Sequence, residues 1–251
     1  MDIFKDEIEM IGDSRVYIQQ LSIDCVIFGF HGDQLKVLLT KLKGIEDTWT
    51  LPGGYILQEE GIDQAAQRIL EVRTGLKDIY LEQFNVFGKA ERATSEFMKK
   101  FMESNDLVIS PEHWIFRRFV SIGYYALVDF TEVIAKPGEL DEICNWFDIK
   151  HLPDMAFDHS EIIRKALDTL QLMLDHKLIG FHLLPDAFTM KELQKLYETV
   201  LDKPFRRDNF QRKMLSLGIL ERLEKKFTGA ANKAPYTYRF KLVENNVDKI
   251  R

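Results

Sequence analysis

Cysteine is scarce in this chain. The two that occur, Cys25 and Cys144, match no zinc-ligand spacing and no disulfide framework. Both lie in strand-like runs and read as buried thiols in a reducing compartment. Long apolar runs are lacking as well. None approaches the ~18 residues that a membrane span requires, so no membrane association is expected. The amino terminus, Met1-Asp2-Ile3-Phe4-Lys5-Asp6-Glu7, is too acidic for a signal peptide, which points to a cytoplasmic protein. The six histidines form no cluster with ligand spacing, and neither a metal site nor a cofactor is expected.

What is present is an ordinary soluble composition: 251 residues, 45% hydrophobic and 29% charged, enough for one large domain or two small ones. The charge is unevenly spread. Between Leu201 and Lys241, eleven basic residues meet four acidic ones, a surplus of seven positive charges; the whole chain carries −6, so the remainder carries −13. A basic module on an acidic body is the layout of a protein that presents one end to nucleic acid.

The pattern divides the chain into residues 1–178 and 179–251, with the boundary near Ile179 to Pro185. After a short amphipathic lead-in over residues 1–18, Leu21 to Phe30 is a β-rich run. His31-Gly32-Asp33-Gln34 is a turn and Leu35 to Lys43 a second strand, together a hairpin signal. Trp49-Thr50-Leu51-Pro52-Gly53-Gly54 is a loop that leads into a helix. Leu81 to Gly88 reads as a strand and Ala93 to Asn105 as helix-compatible. Trp114 to Phe130 is strongly β, with Val120, Ile122, Tyr124, Ala126 and Val128 alternating in period two. Glu142 to Ile149 is the last strand of this half. Asp158 or Ser160 caps a helix to about His176, with Ile162, Ile163, Ala166, Leu167, Leu170, Met173 and Leu174 on its apolar side.

The second half has a different grammar. Thr189 with Glu192 three residues on is a capping box, opening a helix to about Leu201. Asp202-Lys203-Pro204 connects to a second helix, from Phe205 or Arg206 to Leu217, which Gly218 stops. Ile219 to Leu223 is strand-compatible, Thr228 to Asn232 a turn, and Tyr236 to Phe240 the returning strand. Helix, turn, helix and hairpin make a winged helix-turn-helix. In the second helix Phe210, Met214 and Leu217 fall at i, i+4 and i+7 and form the expected buried stripe. Recognition helices place N-terminal side chains against base edges in the major groove. Arg reads guanine and Asn reads adenine, so Arg206, Arg207 and Asn209 are the base-facing candidates. Arg212 and Lys213 are placed on phosphates, and Lys225, Lys226 and Lys233 of the hairpin on the DNA backbone. The bland alternative is a solvated charged face, or a winged module that binds protein; the basic surplus favours DNA.

Residues Gly54 to Leu76 carry a spaced set: Gly54, Glu60, Arg68, Leu70, Gly75 and Leu76. The set resembles the signature of Nudix hydrolases, G-x5-E-x7-R-E-U-x-E-E-x-G-U, where U is aliphatic. The three glutamates that follow the arginine in that family, where they hold magnesium, are Ile69, Val72 and Arg73 here. Magnesium needs hard oxygen ligands, and these side chains supply none. The residues also make sense by themselves. Ile62, Ala65, Ala66, Ile69 and Val72 are spaced as one apolar stripe of an amphipathic helix, and Arg73 on the same side would repel a cation. Glu71 lies about 100° around the helix from the expected register. Glu60 alone gives at best a weak site. Without metal, nothing here generates hydroxide or neutralises a leaving phosphate, so no catalytic residue is expected. The alternative is an active pyrophosphohydrolase of a nucleotide sugar that finds its carboxylates elsewhere.

A degenerate Nudix domain followed by a winged helix resembles the Nudix-related transcriptional regulators. The likeness spans nearly the whole chain, including Trp146-Phe147 and Ala156-Phe157-Asp158-His159. It implies an α+β fold: a Nudix-like α/β/α sandwich with a mixed sheet, followed by a winged helix-turn-helix domain. It also implies a homodimer on palindromic double-stranded DNA operators and a small effector in the Nudix domain that alters DNA binding. In members linked to NAD metabolism the effector is ADP-ribose. In members linked to sugar catabolism, such as arabinose use, it is a pentose. The absent diphosphate-gripping ligands lean toward a neutral sugar. Ala93 to Asn105 is an insertion relative to the family pattern. Candidate effector contacts from the sheet and the Gly-Gly loop are Lys43, Trp49, Arg118 and Tyr124, since sugars stack on aromatic rings and hydrogen-bond to charged side chains. Trp49 as plain core and Lys43 as a surface strand residue are the structural alternatives. His159 reads as a helix-start or dimer-surface residue.

Overall fold

Residues 15–90, 92, 95–174, 183–225 and 234–241 are described in the structure, a computed structural model. The run that begins the β-rich half becomes a 15-residue strand, Tyr17–His31 (β1), buried without interruption from Ile23 to Phe30. An almost wholly apolar run is what a strand covered on both faces requires. Asp24 is the one carboxylate in it. Gly32 turns the chain with φ +60°, a conformation glycine adopts without Cβ strain, and Gln34–Leu42 (β2) follows.

Four more strands complete this sheet: Gly53–Leu57 (β3), Glu82–Phe87 (β4), Val120–Asp129 (β5) and Asp141–Asp148 (β6). The order is β4-β5-β1-β2-β6, with β3 paired to β1. β3 was read as part of the Gly-Gly loop; its antiparallel register, Asp24↔Gly53 to Tyr17↔Leu57, makes it a strand. Gly53 is required there, because an added Cβ would lie 2.5 Å from Asp24 Oδ1. Of the expected β run from Trp114, only Val120–Asp129 is strand, and Trp114–Phe116 is a 3-10 turn.

The helix Ile62–Thr74 (α1) buries Ala65, Ala66, Ile69 and Leu70 against Ile23, Cys25, Ile27, Leu38 and Ile56. The apolar stripe is rotated from the expected one. Ile62 and Val72 are 43% and 39% exposed, and Leu70 takes the core position. Gly75 closes the helix in the left-handed region at φ 69°, its N–H donating to the Glu71 carbonyl. Within the stretch expected to be an insertion, Ser95–Ser104 folds as a helix (α2). Its Met98, Phe101 and Met102 join Tyr17, Trp114, Ile115 and Phe119 in a second buried cluster. The helix His159–Met173 (α3) buries Ile162, Ile163, Ala166 and Leu170.

Two compact units divide at residues 29/30, 35/36 and 169/170. The boundary expected near residues 179–185 falls mainly on 175–182, outside the described residues, as do 1–14 of the lead-in and the turn at 228–232. In the second unit, Phe188–Thr189 (β7), Leu220–Lys225 (β8) and Tyr236–Phe240 (β9) form a sheet in the order β7-β9-β8. Met190–Leu201 (α4) and Arg207–Ser216 (α5) pack through Leu193, Leu196, Tyr197, Phe210 and Met214, all buried. Leu217, expected in that stripe, is 39% exposed and ends α5 instead. Among the described residues no helix is long and apolar enough to cross a membrane.

The capping box of α4 forms as expected. Thr189 Oγ1 accepts from the Glu192 N–H at 3.3 Å, and Thr189 N–H donates to Glu192 Oε2 at 2.6 Å. Thr189→Ala removes one of these bonds and is expected to lower stability by about 1 kcal/mol, read as a shifted urea midpoint with an unchanged slope.

Candidate functional site

The first unit holds a cavity of about 160 Å³, partly open to solvent. Gly53 and Gly54 of β3 border it, with Arg68, Ile69, Val72 and Arg73 of α1 and Met98 and Phe101 of the insertion helix. Tyr17, Tyr55, Phe119 and Phe157 supply ring surface, and Asp24, Arg92 and His159 supply polar groups. The signature helix and the Gly-Gly strand thus face a real cavity, and α2 is part of its wall.

Arg73 stands where a hydrolase of this pattern has a carboxylate. Its guanidinium is buried and does not face an incoming ligand as a free charge. Nε and Nη2 donate to the two oxygens of Asp141 at 2.5 Å each, Nη2 also to Thr40 Oγ1 at 3.0 Å, and Nη1 to the Gly53 carbonyl at 2.6 Å. The Asp141 side chain is fully buried. Bidentate, charge-assisted pairing of this kind is among the strongest polar contacts a protein makes. The expectation that Arg73 repels cations is therefore corrected: its charge is neutralised by Asp141, and its role is to clamp β2, β3, α1 and β6.

Glu60 and Arg68 are likewise committed to each other. Arg68 Nε donates to Glu60 Oε2 at 2.8 Å and Nη2 to Glu60 Oε1, while Nη2 also reaches the Tyr55 carbonyl at 2.8 Å. Glu60 Oε1 accepts from the Leu57 N–H at 2.8 Å. Burial opposes ionisation of Glu60, but these bonds outweigh it and hold its carboxyl below the usual range. Among the described residues no group of three or more His, Cys, Asp or Glu is placed to hold a metal ion. Ile69, Val72 and Arg73 present no hard oxygen, so the site does not fit magnesium.

The third polar group lies at the Asp24 end. Asp24 Oδ2 accepts from Arg92 Nη2 at 3.2 Å and from the Ser121 hydroxyl. Arg92 Nε donates to Asp158 Oδ1 at 2.9 Å. His159 Nδ1 accepts from the Leu51 N–H at 2.9 Å, which leaves the proton of the neutral ring on Nε2, 3.5 Å from Asp24 Oδ1. Burial is the main reason the His159 pKa sits below its usual value; Asp24 pulls the other way and Arg92 adds to the lowering. His159 does begin a helix, but it is 3% exposed and lines the cavity, so it is not a surface residue.

None of the four residues expected around the effector lines this cavity. Tyr124 is buried under α1 with its hydroxyl on Asp63. Trp49 is half-buried edge-on against Phe147, ring centroids 4.5 Å apart. Lys43 is half-buried, its backbone tied to Leu140 and Asn105, and Arg118 is exposed. The one local signal that could have pointed to the cavity was Asp24, a carboxylate inside a strand buried on both faces; Arg92 and Asp141 carried none.

In the second unit, Arg206, Arg207, Asn209, Arg212 and Lys213 are all exposed along α5. Its opposite face is anchored by Phe210, whose ring lies 5.3 Å from Tyr197 and 5.6 Å from Phe205. The turn into α5 is pinned: Glu198 Oε1 accepts from the Phe205 N–H at 2.8 Å, and Gln194 Nε2 donates to the Phe205 carbonyl at 2.9 Å. Lys213 Nζ sits 5.8 Å from the Tyr197 ring. Arg222 and Lys225 of β8 pack over Tyr236 at 4.6 and 5.2 Å. Lys226 and Lys233 lie outside the described residues.

Comparison with known proteins agrees with both halves. A family model described as NUDIX domain matches residues 18–167, and one described as NrtR DNA-binding winged helix domain matches residues 180–240. The ADPR responsive transcriptional repressor NtrR of Acinetobacter baylyi is 28% identical over 229 residues, covering 88% of this chain and 82% of the relative. The crystal structure of Shewanella oneidensis NrtR is similar with a TM-score of 0.64 at 27% identity, covering 89% of this chain and 94% of that one. The same protein complexed with a 27mer DNA gives 0.62 at 25% identity over the same shares.

Two outcomes follow from the geometry. Arg73→Met leaves Asp141 charged and buried without a partner, and is expected to cost on the order of 3–5 kcal/mol in chemical denaturation; adding Asp141→Leu recovers most of it. His159 has a folded pKa below its unfolded value of about 6.5, so the unfolded chain binds the extra proton. Its contribution is present above pH 6.5 and is lost as the pH falls below that value. The melting temperature is expected to drop between pH 7 and 5.5, with a shallower slope in His159→Gln. The Glu60 contribution is present above the ordinary glutamate value of about 4.5 and is lost as the pH falls below it, a separate window.

Proposed function

Since the chain belongs to the Nudix family and carries a winged helix of the NrtR type, we propose that it is a ligand-responsive transcriptional regulator. It binds operator DNA through α5 and senses a small metabolite in the Nudix-domain cavity. The observation that carries this reading is α5 itself. Its N-cap and first turn expose Arg206, Arg207 and Asn209, while Phe210 and Met214 hold the opposite face in the core. Those three side chains have the donors that read guanine and adenine edges in the major groove. Arg212, Lys213 and Lys225 are assigned to phosphates, which position the protein without specifying sequence.

The Nudix domain acts in this reading as a sensor and not as an enzyme. Arg73 and Asp141 neutralise each other where a hydrolase needs a cation, and Glu60 is occupied by Arg68 and the Leu57 N–H. Without a metal-activated water or a Lewis acid, a phosphoanhydride has nothing to attack it or to stabilise its leaving group. The effector is ADP-ribose, to which the Acinetobacter relative responds by its description, or a pentose. The active form is a homodimer on a palindromic operator, and the effector acts by changing the separation of the two α5 helices, which must match a repeat of ~34 Å on the duplex.

In mobility-shift titrations against promoters flanking its own gene, Arg207→Ala is expected to weaken operator binding by about 1–3 kcal/mol relative to random duplex. Lys225→Ala weakens both duplexes alike and lowers the salt slope by about one. Equal losses on operator and random DNA with Arg207→Ala would remove the base-reading role. Incubation with ADP-ribose or a nucleoside diphosphate sugar, with magnesium or manganese, is expected to give no turnover. Metal-dependent hydrolysis by the purified chain would overturn the sensor assignment.

A further inference from the structure

The connection between α4 and α5 hangs on one residue. Asp202 to Phe205 make that connection, and because Pro204 has no N–H the stretch offers three backbone donors. All three go to Glu198. Its carbonyl accepts from the Asp202 N–H and, at 3.2 Å, from the Lys203 N–H, and its carboxylate Oε1 accepts from the Phe205 N–H at 2.8 Å. One turn earlier on the same side of α4, Gln194 Nε2 donates both to that Oε1 and to the Phe205 carbonyl, each at 2.9 Å. Side chains of α4 therefore grip both backbone groups of Phe205.

This grip exceeds what the fold requires. Gln194, Glu198 and Phe205 are all half-buried, so water could satisfy the same backbone groups. The packing of α4 on α5 is made by other residues, among them Leu193, Leu196, Phe210 and Met214. Ordering a backbone and two long side chains costs conformational entropy, and the return lies one residue further on. Phe205 leads directly into Arg206, the N-cap of α5, and Arg207 is the first residue of the helix. Bidentate reading of a base edge needs its donors placed to within about 0.5 Å, and a long arginine side chain magnifies any rotation of the backbone that carries it. The bond from Gln194, followed by that from the Phe205 N–H, also holds the Glu198 carboxyl below its usual range, so the grip is complete at neutral pH.

We infer that Glu198 and Gln194 are positioning residues for sequence recognition: through Phe205 they fix the entry of α5, so that Arg206 and Arg207 meet base edges in a single orientation. This role rests on the reading of α5 as the base-reading helix. It assigns part of the sequence discrimination to two side chains of the neighbouring helix.

The test compares binding of the full chain to the duplex it selects from a randomised pool with binding to random duplex of the same length. Glu198→Ala is expected to weaken the selected duplex about tenfold or more, the scale of a lost base contact, while affinity for random duplex stays the same or rises, since phosphate attraction carries no sequence information. Glu198→Gln removes the same charge yet keeps an oxygen that accepts from the Phe205 N–H, and is expected to retain most of the discrimination. Gln194→Ala lowers discrimination in the same direction, and the double variant with Glu198→Ala falls no further than Glu198→Ala alone, because both residues act through Phe205. Amide exchange at Phe205 is expected to be slow in the wild-type chain and in Glu198→Gln but fast in Glu198→Ala, with the amides of Phe210 and Met214 still protected, which separates a released turn from an unfolded domain. Equal losses on both duplexes, full discrimination by Glu198→Ala, or matching losses in the Ala and Gln variants would overturn the inference and leave the regulator function standing. Failure of the wild-type chain to select any sequence overturns both.

Discussion

One buried ion pair organises the sensing end of this protein. Arg73 reaches from α1 to Asp141 of β6, Thr40 of β2 and the Gly53 carbonyl of β3, so four segments distant in sequence meet on a single guanidinium. A buried charge is tolerable only when it is both paired and hydrogen-bonded, and here both oxygens of Asp141 are used. The clamp performs part of what a bound cation would do, neutralising a carboxylate and ordering a backbone carbonyl. It cannot exchange, acidify a water or ligate a diphosphate. A cation built into the chain is a cation removed from chemistry.

The rest of the signature frame follows the same logic. Glu60 accepts from the Leu57 N–H while Arg68 grips both Glu60 and the Tyr55 carbonyl, so the turn between β3 and α1 is shaped by groups that in isolation look catalytic. Gly53 and Gly75 complete it, the first by letting Asp24 approach β3 and the second by ending α1 in the left-handed region. The frame outlasts the loss of the carboxylates because it is architecture: it fixes where the helix starts, which face it turns to the cavity and where it stops.

This explains what could be read in the sequence and what could not. Features written into a few neighbouring residues were legible: the Gly32-Asp33 turn, the period-two strand around Tyr124, the Thr189–Glu192 capping box, and the strand Tyr236–Phe240. Those that depend on pairing across the chain were not. β3 looked like loop because its two glycines carry no strand propensity, and only pairing with β1 makes it a strand. Trp114–Phe116 looked like strand because aromatic residues suit strands, yet they turn to pack with Tyr17 and Phe119. The cavity was the hardest part. Arg73 and Asp141, and likewise Asp24 and Arg92, are 68 positions apart, and no local pattern links them. Tyr124 has sugar-binding chemistry, but its hydroxyl is already on Asp63.

The cavity and α5 belong to different compact units, so an effect of the ligand on DNA is a free-energy coupling between separate sites. Such coupling is reciprocal: whatever factor the effector takes from operator affinity, the operator takes from effector affinity. A ligand held equally well by free and operator-bound protein would change nothing, however tightly it bound. The required difference is modest, since a tenfold change in operator affinity corresponds to about 1.4 kcal/mol. A hydrogen bond to a charged group is worth about 1.5–3 kcal/mol, so one such contact, made in only one of two arrangements of the protein, is enough. A sensor built this way needs no rearranged core, only one contact that is made in one state and not in the other.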